Sequence, residues 1–292
     1  TAYYWRGPAG LEAALIAAKQ GFQVTLSDQS KNMGGRLNFE TALPGLSTWR
    51  RVIDYRLYAL KQMNNVDLYS NSELSRDDIL ELGHERVVIA TGAKWTKSLY
   101  SSLEIPVGEL NQPNVYTPDD VAAGIKINGP VLVYDFDNYY LGGVLAEKLA
   151  AQGLSVSYAT PAGHASAWTI MTNEQPFVHQ NLENAGIPVI TQVLLQSYEN
   201  DTAGLANIFT AKPQQIVAKS VLIVGLRMPH DSLYQTLISD PEANLTAGIK
   251  SVDRIGDCLA PGAIVHAIYS GHDYARNLVT TRSNLYLRDI PI

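Results

Sequence analysis

The residues with the types and spacing to do chemistry stand at the front of the chain. Trp5-Arg6-Gly7-Pro8-Ala9-Gly10 lies between a stretch that reads as a strand and one that reads as a helix. A G-x-G-x-x-G turn in that context cradles a dinucleotide pyrophosphate. One glycine lets the backbone approach the phosphates, and the last lets the helix pack closely on the strand. The helix N-terminus adds unpaired N–H groups and a partial positive charge. Gly7 and Gly10 fill two of the three glycine positions; Trp5 stands at the first, where an indole is expected to crowd the turn. An acidic residue about 20 positions further on bonds the ribose hydroxyls in such sites, and Asp28 stands there. Pro8 and Ala9 join these as candidate contacts, and so do Gly35, Arg36 and Leu37, where Gly34-Gly35 would let the chain pass close to a nucleotide. Two other readings remain open: a tight turn that holds nothing, and an Arg6 that is simply exposed.

These residues need a particular scaffold. Residues 1–4 read as a strand, Leu11 to Gln20 as a helix closed by Gly21, and Gln23 to Ser27 as a second strand. That is a βαβ unit, which implies a parallel sheet with a right-handed crossover. Glu85 to Ala90 reads as a buried strand ending at Thr91-Gly92. After Gly129-Pro130 the pattern restarts, with a strand at Val131 to Tyr134, a helix from Leu141 to Gln152 closed by Gly153, and a strand from Leu154 to Ala159. Ser220 to Gly225 and Ser251 to Asp257 read as further strand-bearing segments, and a last helix is expected from about Pro261 to Leu278. The fold expected is α/β: two Rossmann-like dinucleotide-binding domains of the glutathione-reductase type, the second inserted in the first. The division expected is 1–125 with 226–292 for the first domain and 126–225 for the insert.

Composition narrows the function. The chain has 292 residues, 46% hydrophobic, with a formal net charge of -6. An acidic balance argues against nucleic acid, since phosphate backbones call for a basic surface. No apolar run reaches the roughly 18 residues a membrane span needs, so a soluble, cytoplasmic protein is expected. A single cysteine, Cys258, excludes an internal disulfide, a Cys-x-x-Cys redox centre and a Cys-rich iron–sulfur site in these residues. The six histidines lack metal-ligand spacing, so no metal site is expected. A chain that starts on its first core strand is expected to be a fragment, a processed product or one subunit of a larger enzyme.

At this point the residues carry a resemblance. Gly7-Pro8-Ala9-Gly10, Leu26-Ser27-Asp28, Gly34-Gly35-Arg36-Leu37-Asn38, Asp54-Tyr55-Arg56 and Val88 through Trp95 resemble the C-terminal half of the trimethylamine and dimethylamine dehydrogenases, a group that includes histamine dehydrogenase and N-methylproline demethylase. Asp137-Asn138-Tyr139-Tyr140, Ala165-Ser166-Ala167-Trp168-Thr169 and Ile255-Gly256-Asp257 continue it, and Gly271-His272 with Ala275-Arg276 completes it. The Tyr-Tyr and Ser-Ala-Trp-Thr segments are specific to the group; Ala-Thr-Gly and Ile-Gly-Asp occur widely in two-dinucleotide flavoproteins. The resemblance implies a site for ADP or FAD with Thr91, Gly92 and Asp257 among its contacts, and no catalytic residue in this half. It also implies a separate (β/α)₈ barrel holding FMN, a [4Fe–4S] cluster beside it, docking of an electron-transfer flavoprotein, and assembly as an oligomer.

The second turn reads differently. Asp137-Asn138-Tyr139-Tyr140-Leu141-Gly142 keeps only the last glycine, and Asp135 and Asp137 are expected to put negative charge where a pyrophosphate would sit. A cofactor-free second site is therefore expected. The whole points to an electron-transferring, nucleotide-binding half of an amine dehydrogenase, an oxidoreductase acting on CH–NH bonds only with its barrel. An autonomous FAD-dependent NAD(P)H reductase and a pure interaction module are the alternatives. His272 and the helix around Trp49 to Arg56 are candidates to lie beside the nucleotide; a surface or capping role is the other reading for His272, and a plain ion-pair network is the other reading for the helix.

Overall fold

The computed structural model describes residues 2–5 (backbone only), 7–101, 103 and 105–279. Arg6 and the stretch from Thr280 therefore lie outside the described residues, as does the Trp5 side chain. The chain forms two compact units, one of residues 1–41, 48–93 and 229–292, the other of 42–47 and 94–228.

The first unit begins with strand β1 (Ala2–Trp5), which turns at once into helix α1 (Gly7–Lys19). Alanine and leucine dominate α1, so it has high intrinsic helix propensity. Leu11 and Leu15 are almost fully buried, each worth about 2 kcal/mol of apolar burial. Gly21, at φ 89°, stops the helix in the left-handed conformation a C-terminal cap prefers. Strand β2 (Val24–Asp28), helix α2 (Arg51–Lys61), strand β3 (Val66–Ser70), helix α3 (Arg76–Leu82) and strand β4 (Arg86–Ala90) follow.

The chain then enters the second unit. Strands β5 (Val115–Tyr116) and β6 (Val131–Asp135), helix α4 (Tyr140–Ala151), strand β7 (Val156–Ala159), helix α5 (Gln175–Asn184) and strand β8 (Val189–Ile190) come in order. An antiparallel meander of β9 (Val193–Glu199), β10 (Thr202–Asn207) and β11 (Pro213–Val217) precedes β12 (Ser220–Val224). The chain returns to the first unit with β13 (Ser251–Arg254) and helix α6 (Ile264–Arg276).

Each unit is built on a parallel five-stranded sheet. The first has the order β13-β4-β1-β2-β3 and the second β8-β7-β6-β12-β5. In both, the strand entering the Gly-type turn sits centrally, with its sequence successor on one side and a later strand on the other. That reversal of order opens a crevice at the carboxyl ends of the strands, where open α/β sheets bind ligands.

The compact division falls at 93/94 and 228/229, whereas the boundaries expected from sequence were 125/126 and 225/226. The stretch from Lys94 goes with the second unit because β5 pairs with β12 there. The meander β9–β11 was not expected from the sequence, since its strands mix exposed polar and buried apolar positions without a clean alternation. Among the described residues no helix is long and apolar enough to cross a membrane.

Candidate functional site

The site is built at the carboxyl edge of the first sheet. Gly7 opens α1 at φ 82°, a conformation that strains any residue with a Cβ. A Cβ placed on Gly7 would lie 3.8 Å from the Gly34 carbonyl oxygen, so the loop carrying Gly34 and Gly35 runs beside the turn. Gly34 itself is fixed by packing: at φ 131°, a Cβ there would come within 2.6 Å of Ile53 Cδ1 on α2.

Ala9 anchors a second side of the turn. A Cβ on Gly256 would sit 2.6 Å from the Ala9 Cβ, and one on Gly271 would sit 2.1 Å from the Ala9 carbonyl oxygen. Two glycines thus let the loop after β13 and helix α6 close on the start of α1. That closure brings Asp257 to the turn. Its carboxylate accepts from the Gly262 N–H at 3.0 Å and stands 3.4 Å from the Arg36 guanidinium, which also pairs with the fully buried Glu40. Leu37 is buried in the first unit's core, so its side chain packs inward.

Asp28 ends β2 with its side chain buried. Its Oδ1 accepts from the Ser30 N–H at 2.8 Å, and Ser72 N donates to its carbonyl oxygen at 2.9 Å. Asp28 and Thr91 share the wall of a cavity of about 570 Å³ with Ser72, Arg76, His230 and Leu233. Ligand pockets fall between roughly 300 and 1,000 Å³. Thr91 Oγ1 donates to the His230 carbonyl oxygen and approaches Cys258 Sγ at 3.3 Å, and Gly92, at φ 80°, accepts from the His230 N–H at 2.9 Å. Burial pushes the Cys258 thiol up, which makes it a poor nucleophile.

The candidate residues thus separate into two groups on one sheet edge. Asp28 and Thr91 line the cavity. Gly7, Ala9, Gly35, Arg36 and Asp257 surround the turn, with Pro8, Gly10, Leu37 and Gly92 placed in their backbone path. Sequence reasoning missed Ser72, Arg76, His230 and Leu233 as cavity lining, because they come from loops and helix starts remote from any glycine motif. It also missed Glu12. This helix carboxylate, 7% exposed, binds Arg56 Nε at 2.7 Å and His272 Nδ1 at 2.8 Å, tying α1, α2 and α6 together. Arg56 and His272 thus each have a structural partner in Glu12.

The second unit's turn differs from expectation in one respect. Asp135 does not stand in the place of a phosphate; it points inward beneath α4, fully buried, and accepts from Asn138 N at 3.0 Å and from the Tyr158 hydroxyl. Asp135 ends a sheet strand whose residues are all buried, so its side chain has only the interior to enter. Among the described residues no group of His, Cys, Asp and Glu is placed to hold a metal ion.

Comparison with known proteins fits this architecture. The family described as OYE-like second alpha/beta domain matches residues 116–218. The dimethylamine dehydrogenase of Hyphomicrobium sp. (strain x) is 32% identical over 93% of this chain. The structure of histamine dehydrogenase from Rhizobium sp. 4-9 superposes over 97% of the chain at a TM-score of 0.92, with 38% identity. The chain is homologous to the dimethylamine and histamine dehydrogenases. It spans 40% of the length of the former and 44% of the latter chain, so it corresponds to a part of those enzymes. Thioredoxin reductase of T. acidophilum, at 14% identity and a TM-score of 0.60 over 95% of the chain, shares the fold alone. The fold is thus the α/β architecture also seen in thioredoxin reductase.

Proposed function

We propose that this chain is the nucleotide-binding part of a flavin-dependent amine dehydrogenase or demethylase. On this reading a domain of residues 1–125 and 226–292 holds ADP or the ADP portion of FAD, and the inserted domain, 126–225, carries a second site without a cofactor. The observation that carries it is the placement of Asp28 and Thr91 on one cavity, beside a turn whose Gly7 sits at φ 82°. Asp28 would accept from ribose hydroxyls, while the turn from Gly7 to Gly10 and the N-terminus of α1 would hold the pyrophosphate. Gly35, Arg36, Leu37, Gly92 and Asp257 would close over it, with Arg36 neutralising phosphate charge at a point it now shares with Asp257.

Breaking a C–H bond beside an amine nitrogen needs an electron acceptor that side chains do not provide, and a flavin supplies it. In the homologous enzymes that are longer than this chain, we place that chemistry in the part it does not span: an FMN- and [4Fe–4S]-bearing barrel. This chain's residues then bind nucleotide, brace the barrel half and present surface to an electron-transfer flavoprotein within an oligomer. The relatives' names, dimethylamine and histamine dehydrogenase, support an oxidoreductase acting on CH–NH bonds.

The test is the nucleotide itself. Protein denatured after purification is expected to release ADP or FAD, identified by mass spectrometry. Asp28→Ala should weaken rebinding of that nucleotide about 10- to 100-fold, the scale of a charge-assisted hydrogen bond. Unchanged affinity in the variant would remove Asp28 from the site. The chain alone, with added FMN and each amine, should fail to reduce a dye acceptor; steady turnover would relocate the chemistry to these residues.

A further inference from the structure

The second unit's turn leaves few backbone donors for a ligand. Phe136 N and Asp137 N both donate to the Val224 carbonyl oxygen, at 2.8 and 3.0 Å, and Asn138 N donates to Asp135 at 3.0 Å. Asn138 spends its amide locally too: Nδ2 donates to the Phe136 carbonyl oxygen at 2.8 Å, and Oδ1 accepts from Thr160 at 2.8 Å. Space beneath the helix is taken as well. A Cβ on Gly142 would lie 2.5 Å from Asp135 Cγ, so the glycine makes room for the protein's own carboxyl group.

The same carboxyl reaches the loop that follows β7. The Tyr158 hydroxyl, which donates to Asp135, accepts from Ser166 N at 3.0 Å, and Trp168 N donates to the Asn138 carbonyl oxygen at 2.8 Å. Ser166 is fully buried at φ 47°, and Asn138 sits at φ 57°. A serine rarely adopts that conformation, and such strain persists only where surrounding bonds over-determine it. Trp168, Ile170 and Met171, which the loop carries, are exposed.

We propose that Asp135 is an internal ligand of the second turn: from beneath α4, its carboxyl group closes the turn and, through Tyr158, clamps the Ser166 loop onto it. The clamp makes the loop's shape independent of any cofactor and fixes how Trp168 is presented. The turn sequence Asp-Asn-Tyr-Tyr and the loop sequence Ser-Ala-Trp-Thr then form one device, with Asp135 and Tyr158 as its positioning residues. The inference rests on the reading that this unit carries no nucleotide.

Amide exchange by mass spectrometry on the 292-residue chain tests it. Tyr158→Phe removes the hydroxyl that joins Asp135 to Ser166, and exchange in peptides covering 163–173 should accelerate about tenfold, as expected for loss of one buried hydrogen bond. Peptides from the meander β9–β11 should be unchanged. Asp135→Asn is the conservative companion. Its side chain keeps one oxygen, so it cannot accept from both Asn138 N and Tyr158 in the present geometry, and exchange should rise in the turn peptide and the loop together. Unchanged loop exchange in both folded variants would overturn the clamp alone. Saturable NADPH binding to the wild-type chain that is lost on mutating Asp137 or Tyr139 would overturn the cofactor-free reading and the inference with it.

Discussion

The two turns share a place in the same fold and spend their glycines in opposite directions. In the first unit the middle position of the turn is Gly7 at φ 82°, and the helix begins on it. In the second unit the corresponding position is Tyr139 at φ -105°, an ordinary extended residue one step before the helix. The last glycine of the second turn, Gly142, faces the protein's own Asp135. In the first unit the tight approach is made at Ala9 instead, by Gly256 and Gly271 from elements that return late in the chain. A Rossmann unit therefore keeps its architecture by more than one route. One turn is built on a positive-φ glycine at the carboxyl edge of its sheet, and the other is tied off by side chains.

The comparison breaks most visibly at Gly271. Alanine is the better helix former, by about 1 kcal/mol, so Gly271→Ala would stabilise an isolated α6. In the folded unit its methyl would lie 2.1 Å from a backbone carbonyl oxygen that cannot rotate away. We expect a net loss of about 3 kcal/mol, the upper end of overpacking costs, read from denaturant unfolding. A neutral or stabilising result would mean that α1 and α6 do not approach so closely, and the seat of Asp257 beside the turn would fall with that approach.

The second unit offers the matching experiment with a built-in rescue. Gly142→Ala should cost about 2 kcal/mol because the new methyl collides with a buried carboxyl group. Asp135→Ala alone should also destabilise, since Asn138 N and the Tyr158 hydroxyl lose their acceptor. The double variant frees the space the alanine needs, so its loss should fall short of the sum by about 1 kcal/mol. Strict additivity in the double-mutant cycle would show that Gly142 is glycine for another reason.

These contrasts also mark what the chain could reveal by itself. The first βαβ unit was legible because its signals are local: Gly7 and Gly10 at fixed offsets, a helix of alanines and leucines, and Asp28 at the end of the next strand. The second turn was legible as a departure from that pattern, but the direction of Asp135 was not. A carboxylate after four apolar strand residues looks like a charge at a strand end, and only the sheet alternation with α4 above it sends the group inward. The cavity wall shows the same limit. Ser72, Arg76 and His230 come together through chain closure over more than a hundred residues, which no spacing rule encodes. Glu12 lies on the otherwise apolar face of α1, and its partners Arg56 and His272 arrive from helices that the sequence places but does not orient.

The smallest effect expected is a dependence of stability on pH, and its sign tests the interior placement of Asp135. Burial, reinforced by the nearby charge of Asp137, pushes the Asp135 carboxyl up to about 7, against the opposing pull of the Tyr158 hydroxyl and the Asn138 N–H. In the unfolded chain the group returns to its ordinary value near 3.8. Between those values the folded state holds a proton that the unfolded state has released, so this group's contribution is most favourable in acid and declines as pH rises from about 4 to about 7. His84 and His179 act the other way. Burial lowers both below 6.5, so the unfolded state binds protons first and their contribution is lost as pH falls. The wild-type curve therefore sums opposing terms, and the informative quantity is the difference from Asp135→Asn. That variant cannot titrate at 135 and retains both histidines. Its melting temperature relative to wild type should be higher at pH 8 than at pH 5 by a few °C. A difference that is flat across this range, or that grows toward acid, would place Asp135 in contact with solvent and undo the contrast between the two turns.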